Sequence, residues 1–472
     1  MDHDNLRASI ARQWDEHVVP SLLEFVAIPA VSPAYDPEWA QHGHLTAAVE
    51  HVRSWAEHLG LAGATAEVVT LDDRGPLLMV DIPGTAGSES KGTVLLYGHL
   101  DKQPAQGEWS AGLGPWQGVV RGDRLYGRGA VDDGYSGYAA LTAVSALRQH
   151  GGEHARAVVL LETGEESGSP DLPAYLEHLD ARLGDVTLVI GLDSVGADNE
   201  RLWLTTNLRG AVVATLTVRV LNTPVHSGLA SGIVADPVRV LRTLLDRIEN
   251  SATGEVRLPE MTAPIPEVRR AEAAELAALH PDVARLLPLS GSTRAVADDD
   301  TELLLNNTWR PALTVVGLSG LAAATGAPMV LSDAVSVRLS FRTPPTVSAE
   351  AARAALVTAL STDVPYGADV EVNDFMLIDG WNEPERAPWL QAALDDVSKS
   401  AFGSAPGAIG IGGGIPFIGM LGRRYPQAQF VVTGAASSDS NMHVPDEWLS
   451  LPMAQRVTEA IAGLLNAHAR RS

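Results

Sequence analysis

Val94-Leu95-Leu96-Tyr97-Gly98-His99-Leu100-Asp101 is an apolar run that stops abruptly at a histidine and an aspartate. Two later stretches, Tyr126-Gly127-Arg128-Gly129-Ala130-Val131-Asp132-Asp133 and Val158-Val159-Leu160-Leu161-Glu162-Thr163-Gly164-Glu165-Glu166, have the same construction. In each, ionisable side chains follow a strand-like run or a glycine turn. Asp193 follows a fourth run, Leu188-Val189-Ile190-Gly191-Leu192. Open α/β sheets carry their chemistry at the carboxyl ends of strands. Ends that bear His, Asp and Glu therefore suggest a metal site of nitrogen and oxygen ligands.

Outward from this stretch, the pattern alternates strands and helices, as in an α/β layer structure. Ile10, Trp14, Val18, Leu22 and Phe25 recur at helical spacing over residues 5–28, where Pro20 is expected to kink or split the helix. A helix fits 44–59, and strands fit 66–71, 77–82 and 93–98. Residues 105–125 read as a long loop, followed by a helix at 135–149, a strand at 157–161, a helix near 171–183 and a strand at 186–191. From residue 208 the order becomes strand, helix, strand, strand, helix, strand, which is the ferredoxin-like order. We read 1–207 and 379–472 as two parts of one α/β catalytic domain and 208–378 as an α+β domain inserted into it. The last part is expected to hold a helix at 387–401, a glycine-rich loop at 407–414, a strand at 429–433 and a helix at 452–468.

With 472 residues and 45% hydrophobic content, two domains with substantial cores are the natural expectation. The absence of cysteine excludes disulfides, thiolate metal sites and cysteine nucleophiles. A formal charge of −24 repels nucleic acid and anionic membranes. No apolar run approaches the roughly 18 residues of a membrane helix, and no signal-peptide pattern opens the chain. A soluble, cytoplasmic protein is expected.

A pair of divalent ions needs about four ligands each, a carboxylate to bridge them and one further carboxylate to move protons. His99, Asp132, Glu165, Glu166, Asp193 and His443 are the candidates. Taken singly, each has a plainer reading: a structural histidine, acids at a helix start, or turn aspartates. Rival motifs are incomplete. Ile415 stands where a dinucleotide fingerprint after Gly410-Ile411-Gly412 needs glycine, and Leu192 breaks a nucleophile elbow at Ser194.

His99-Leu100-Asp101, the run Gly127 to Asp133, Glu165-Glu166 and Asn441-Met442-His443 together resemble the signature of the M20 metallopeptidases, most closely the carnosinase-like dipeptidase branch. The resemblance covers essentially the whole chain. It implies the family's two-domain architecture, an α/β catalytic domain with an inserted ferredoxin-like lid and dimerisation domain. It also implies two divalent metal ions, usually zinc, with manganese or cobalt as alternatives. His99 and Asp193 would hold one, Glu166 and His443 the other, and Asp132 would bridge them through a cis Asp132–Asp133 peptide. Asp101 would orient His99, and Glu165 would be the general base. His226, in Asn222-Thr223-Pro224-Val225-His226-Ser227-Gly228, would reach the active site of a dimer partner, and Arg342 would grip a small peptide's carboxylate. Two departures bear on substrate: Gly134-Tyr135 stands where the family commonly has Lys-Gly, and Gly412-Gly413-Gly414 lacks the acid and serine of the dipeptidase branch. Backbone amides of such a loop still bind carboxylates. The alternatives are an N-acyl amino acid hydrolase or specialised amidase, and a metal-free binding module.

Overall fold

The computed structural model describes residues 3–471; positions 1, 2 and 472, at the outer ends of the expected first and last segments, lie outside them. The described chain divides into two compact units. The first comprises the described residues up to Thr206, Glu383–Ile409, and the described residues from Pro416 onward; the second comprises Asn207–Asn382 and Gly410–Ile415.

The first unit is built on a six-stranded sheet in the order Thr65–Val69, Leu77–Ile82, Arg156–Glu162, Thr93–His99, Val186–Gly191, Gln429–Val432. The first two pairings are antiparallel and the remaining ones parallel. The inner strands are buried along nearly their whole length, as in sheets covered on both faces. Helices Tyr135–Gln149 and Leu451–Arg470, buried over most of their lengths, supply much of that cover. Because Thr93–His99, Arg156–Glu162 and Val186–Gly191 run parallel, their carboxyl ends share one edge. That edge receives His99, the Glu165-Glu166 turn and Asp193.

The first helix does not split at Pro20. His3–Gln13 passes through a π turn, Trp14–Val18, into Val19–Val26, and Val19 N–H bonds the Trp14 carbonyl five residues back. Proline lacks an N–H and its ring crowds the carbonyl four residues earlier; one widened turn relieves both without breaking the helix. The stretch 105–125 is not all loop. Val119–Arg121 pairs with Arg124–Tyr126, which pairs in turn with Trp448–Ser450. Residues 171–183 form two short helices, Leu172–His178 and Asp180–Leu183, and Gly407–Ile411 is a strand rather than part of a glycine loop.

The second unit holds a four-stranded antiparallel sheet in the order Ala312–Ser319, Ala334–Thr343, Gly210–Arg219, Asp369–Ile378. Counted along the chain this is 2-3-1-4, the ferredoxin-like arrangement. Helices Pro237–Ile248 and Ala349–Ser361 pack on one face. The strand Ala334–Thr343 alternates buried and half-buried residues accordingly. Both helices start on side-chain caps: Asp236 accepts from Val238 and Arg239 N–H, and Ser348 from Ala351 N–H. Among the described residues no helix is long and apolar enough to cross a membrane.

Candidate metal centre

His99 is the last residue of its strand and fully buried. Its Nδ1 lies 3.0 Å from the Asp101 carbonyl oxygen and 3.4 Å from Asp101 Oδ1. An imidazole whose Nδ1–H donates to that side presents Nε2 as the ligand atom. Nε2 is 3.2 Å from Asp132 Oδ1 and 3.8 Å from Asp193 Oδ2. The Asp101 carboxylate also accepts the backbone N–H of Glu165 at 3.2 Å and of Glu166 at 3.0 Å. One buried aspartate thus fixes both the imidazole and the glutamate turn.

Asp132 and Asp133 are joined by a cis peptide. The Asp133 carboxylate accepts His99 N–H at 3.1 Å. On the far side of Asp132, His443 Nε2 lies 2.8 Å from Oδ2 and 3.4 Å from Glu166 Oε2. His443 arrives on a loop in which Asn441, His443 and Asp446 all have left-handed φ, 56°, 64° and 62°. Such backbone persists only where its surroundings hold it. Glu447 does so: its carboxylate takes Arg128 Nη1 at 2.5 Å and Gly129 N–H at 2.9 Å, while its carbonyl takes Gly127 N–H at 3.0 Å. This buried pair clasps the loop of His443 to the turn of Asp132. Neither Glu447 nor Gln103, whose Nε2 donates to Glu166 Oε2 at 2.6 Å, stands out in the sequence. Arg128 lies inside the motif, but its partner is 319 residues away.

The neighbours Glu165 and Glu166 differ. Glu166 is held by Gln103 and His443. The Glu165 carboxylate makes no hydrogen bond among the described residues, only its backbone being engaged. Burial, then Asp193, pushes Glu165 well above the usual carboxylate range. Burial, then Asp132, does the same to Glu166, and burial with Asp132 raises Asp193 to about 6. Asp132 goes the other way: burial opposes its charge, but hydrogen bonds from His443 and His99 hold it low. Burial alone would depress His99, yet its bonds to Asp101 and Asp132 keep it well above normal. Among the described residues the cationic groups set against this knot of carboxylates are two imidazoles, an arrangement a dication stabilises. Ligand atoms of His99, Asp132 and Glu166, and again of His99, Glu165 and Asp193, lie within 4.8 Å of one another. A set of imidazole and carboxylate donors suits zinc, manganese or cobalt.

The other expected site residues lie in the second unit. His226 is exposed, on a two-residue strand paired with Val330–Leu331, and its Nδ1 accepts Gly228 N–H at 3.1 Å. Its proton therefore sits on Nε2 in the neutral ring, an outward-facing donor. Leu229, Ile233 and Met329 around it are exposed at 74%, 82% and 76%. Arg342 is half-buried near the end of the strand Ala334–Thr343. Gly412 packs against Asn307, whereas the space beside Gly413 is open.

The sequence profile of peptidase family M20/M25/M40 matches residues 95–467. The cysteinylglycine-S-conjugate dipeptidase of Corynebacterium striatum is 27% identical over 457 residues, 95% of each chain. The Cys-Gly metallodipeptidase of Saccharomyces cerevisiae is 30% identical over 269 residues, 55% of each chain. The crystal structure of human carnosine dipeptidase 1 matches the fold with a TM-score of 0.74 at 22% identity, over 100% of this chain and 99% of the other.

Proposed function

The chain belongs to peptidase family M20/M25/M40, and from that premise we propose that it is a dinuclear metallodipeptidase. It cleaves the amide bond of dipeptides or similarly small peptides with a free C-terminal carboxylate. The observation that carries this reading is the contrast between adjacent glutamates: Glu166 anchored among ligand atoms, Glu165 buried beside them with an uncommitted carboxylate.

His99 and Asp193 would hold one divalent ion, zinc in the first instance, Glu166 and His443 the second, and Asp132 would serve both. Bound there, such ions supply Lewis acidity, making water acidic near neutral pH and polarising a carbonyl. Glu165 takes the proton of the attacking water and delivers it to the leaving amine. A carboxylate that no hydrogen bond commits is free for both halves of that transfer. Asp101 keeps His99 in one tautomer and the glutamate turn in place. His226, with its proton on Nε2, donates to the oxyanion. Arg342 takes the substrate carboxylate with its planar fork, and the amides of Gly412, Gly413 and Gly414 stand beside it in this role.

The inserted unit would act as lid and dimerisation domain, with His226 serving the partner's site. Support comes from the apolar skirt around His226 and from the edge strand Ala312–Ser319, where Val315, Val316 and Leu318 are exposed. Exposed apolar edges of this kind are pairing surfaces. A cytoplasmic location completes the reading, checked by fractionation.

The test is a panel of dipeptides and N-acyl amino acids, run on chelated enzyme reloaded with zinc, manganese or cobalt. Dipeptide turnover restored at two metal equivalents is the expected result. A plateau at one equivalent removes the second ion, and faster N-acyl hydrolysis makes this an acylase. Mixing inactive His226→Ala with inactive Glu165→Gln should restore activity through hybrid dimers; a fully active monomer rules the shared site out.

A further inference from the structure

The described residues contain three buried arginines. Arg128 faces Glu447, and Arg269 faces Glu272 at 2.6 Å. Arg209, 6% exposed, faces no carboxylate. Its Nε donates to the Gly412 carbonyl at 3.0 Å, and its Nη1 to the Asn306 and Arg310 carbonyls at 3.2 and 3.3 Å. Its Nη2 makes no hydrogen bond among the described residues. Arg342 is nearby, since the residue paired with it across the sheet is Ala211. It too has no hydrogen bond or ion pair among the described residues. In a chain with 58 acids against 34 bases, two neighbouring guanidiniums that pair with no carboxylate among the described residues are unusual. A buried charge is normally paired, because desolvation is otherwise uncompensated. Burial and repulsion from Arg342 bring Arg209 down to about 10, so it stays charged at neutral pH.

We propose that Arg209 and Arg342 form one anion site, in which Arg209 is a second, specificity-determining guanidinium for the substrate carboxylate. This rests on the dipeptidase reading for the identity of the anion, not for the existence of the site. The three carbonyls hold the Arg209 fork in place while Nη2 stays open to an oxygen. The same bonds tie Gly412, and hence the glycine loop, to the site. One arginine fork can meet both oxygens of a carboxylate; a second guanidinium adds a further charge-assisted donor and narrows the accepted pose.

The test is calorimetric titration of the metal-loaded enzyme with N-acetylglycine and N-acetylglycinamide. Wild type should bind the acid roughly tenfold or more tightly than the amide, as charge-assisted hydrogen bonds require. Arg209→Gln and Arg342→Gln should each erase that preference. Arg209→Lys keeps the charge but not the fork, so it should retain part of the preference. It decides the matter if the glutamine variant does not fold. An undiminished preference in Arg209→Lys and Arg209→Gln, or none in wild type, overturns the proposal. An enzyme that prefers the acid but turns over no dipeptide retains the anion site and loses only the dipeptidase reading.

Discussion

The carboxylate knot of the first unit and the guanidinium corner of the second carry opposite charge but share a design. Asp132, Glu165, Glu166 and Asp193 gather with two imidazoles to offset them. Arg209 and Arg342 gather with no acid. Elsewhere Arg128 is paired with Glu447 and Arg269 with Glu272, while the buried Lys102 ammonium is held by the Phe25 and Ile28 carbonyls, each at 2.8 Å. In both regions like charge is gathered beyond what its neighbours offset, the condition for taking a counter-ion: under the readings proposed above, a cation in one and an anion in the other.

The largest expected effect falls on the carboxylate side. Glu165→Gln should lower kcat by roughly 10²–10⁴-fold while metal content, read by elemental analysis, stays at the wild-type value. Glu166→Gln should instead shed metal. Swapped phenotypes would exchange the two roles. The paired charges sharpen the contrast: Arg128→Met leaves Glu447 buried alone and should cost about 3–5 kcal/mol of stability, read from denaturant unfolding. Arg342→Ala should change stability by less than about 0.5 kcal/mol. It should still lower kcat/KM for a dipeptide by roughly 30-fold or more and leave its C-terminal amide untouched. Equal kcat/KM for dipeptide and amide in wild type would break the comparison on its anionic side. The ligand has an effect of its own: at a hundred times its Kd, a divalent ion should stabilise the fold by about 2.7 kcal/mol. A chelator that leaves the melting temperature unmoved would mean that the carboxylates need no cation.

Much of this was legible in the sequence because the chemistry sits where local pattern changes. The runs ending at His99, at Glu162 and before Asp193 are nearly continuous apolar strands, and a buried parallel strand is recognisable by that continuity. The ferredoxin-like order showed because its two helices and four strands are long and periodic. The hairpin of Val119–Arg121 with Arg124–Tyr126 did not, since three-residue strands carry no period. The π turn was equally silent: Pro20 announces a disturbance but not whether the helix breaks or widens. Glu447, Gln103 and the isolation of Arg209 are facts about partners in space, which no local window contains.

The clasp between Arg128 and Glu447 has a consequence for how the protein is made. Its partners are 319 residues apart, so at typical synthesis rates about 15–60 s pass between them. Through that interval Val186–Gly191 lacks its outer neighbour Gln429–Val432, and the nascent sheet shows an apolar edge that chaperones must shield. The inserted unit can fold long before His443 and Glu447 reach the turn of Asp132. The last of the proposed ligands, His443, is thus delivered only near the end of that interval. A product terminated before it lacks that residue of the candidate centre.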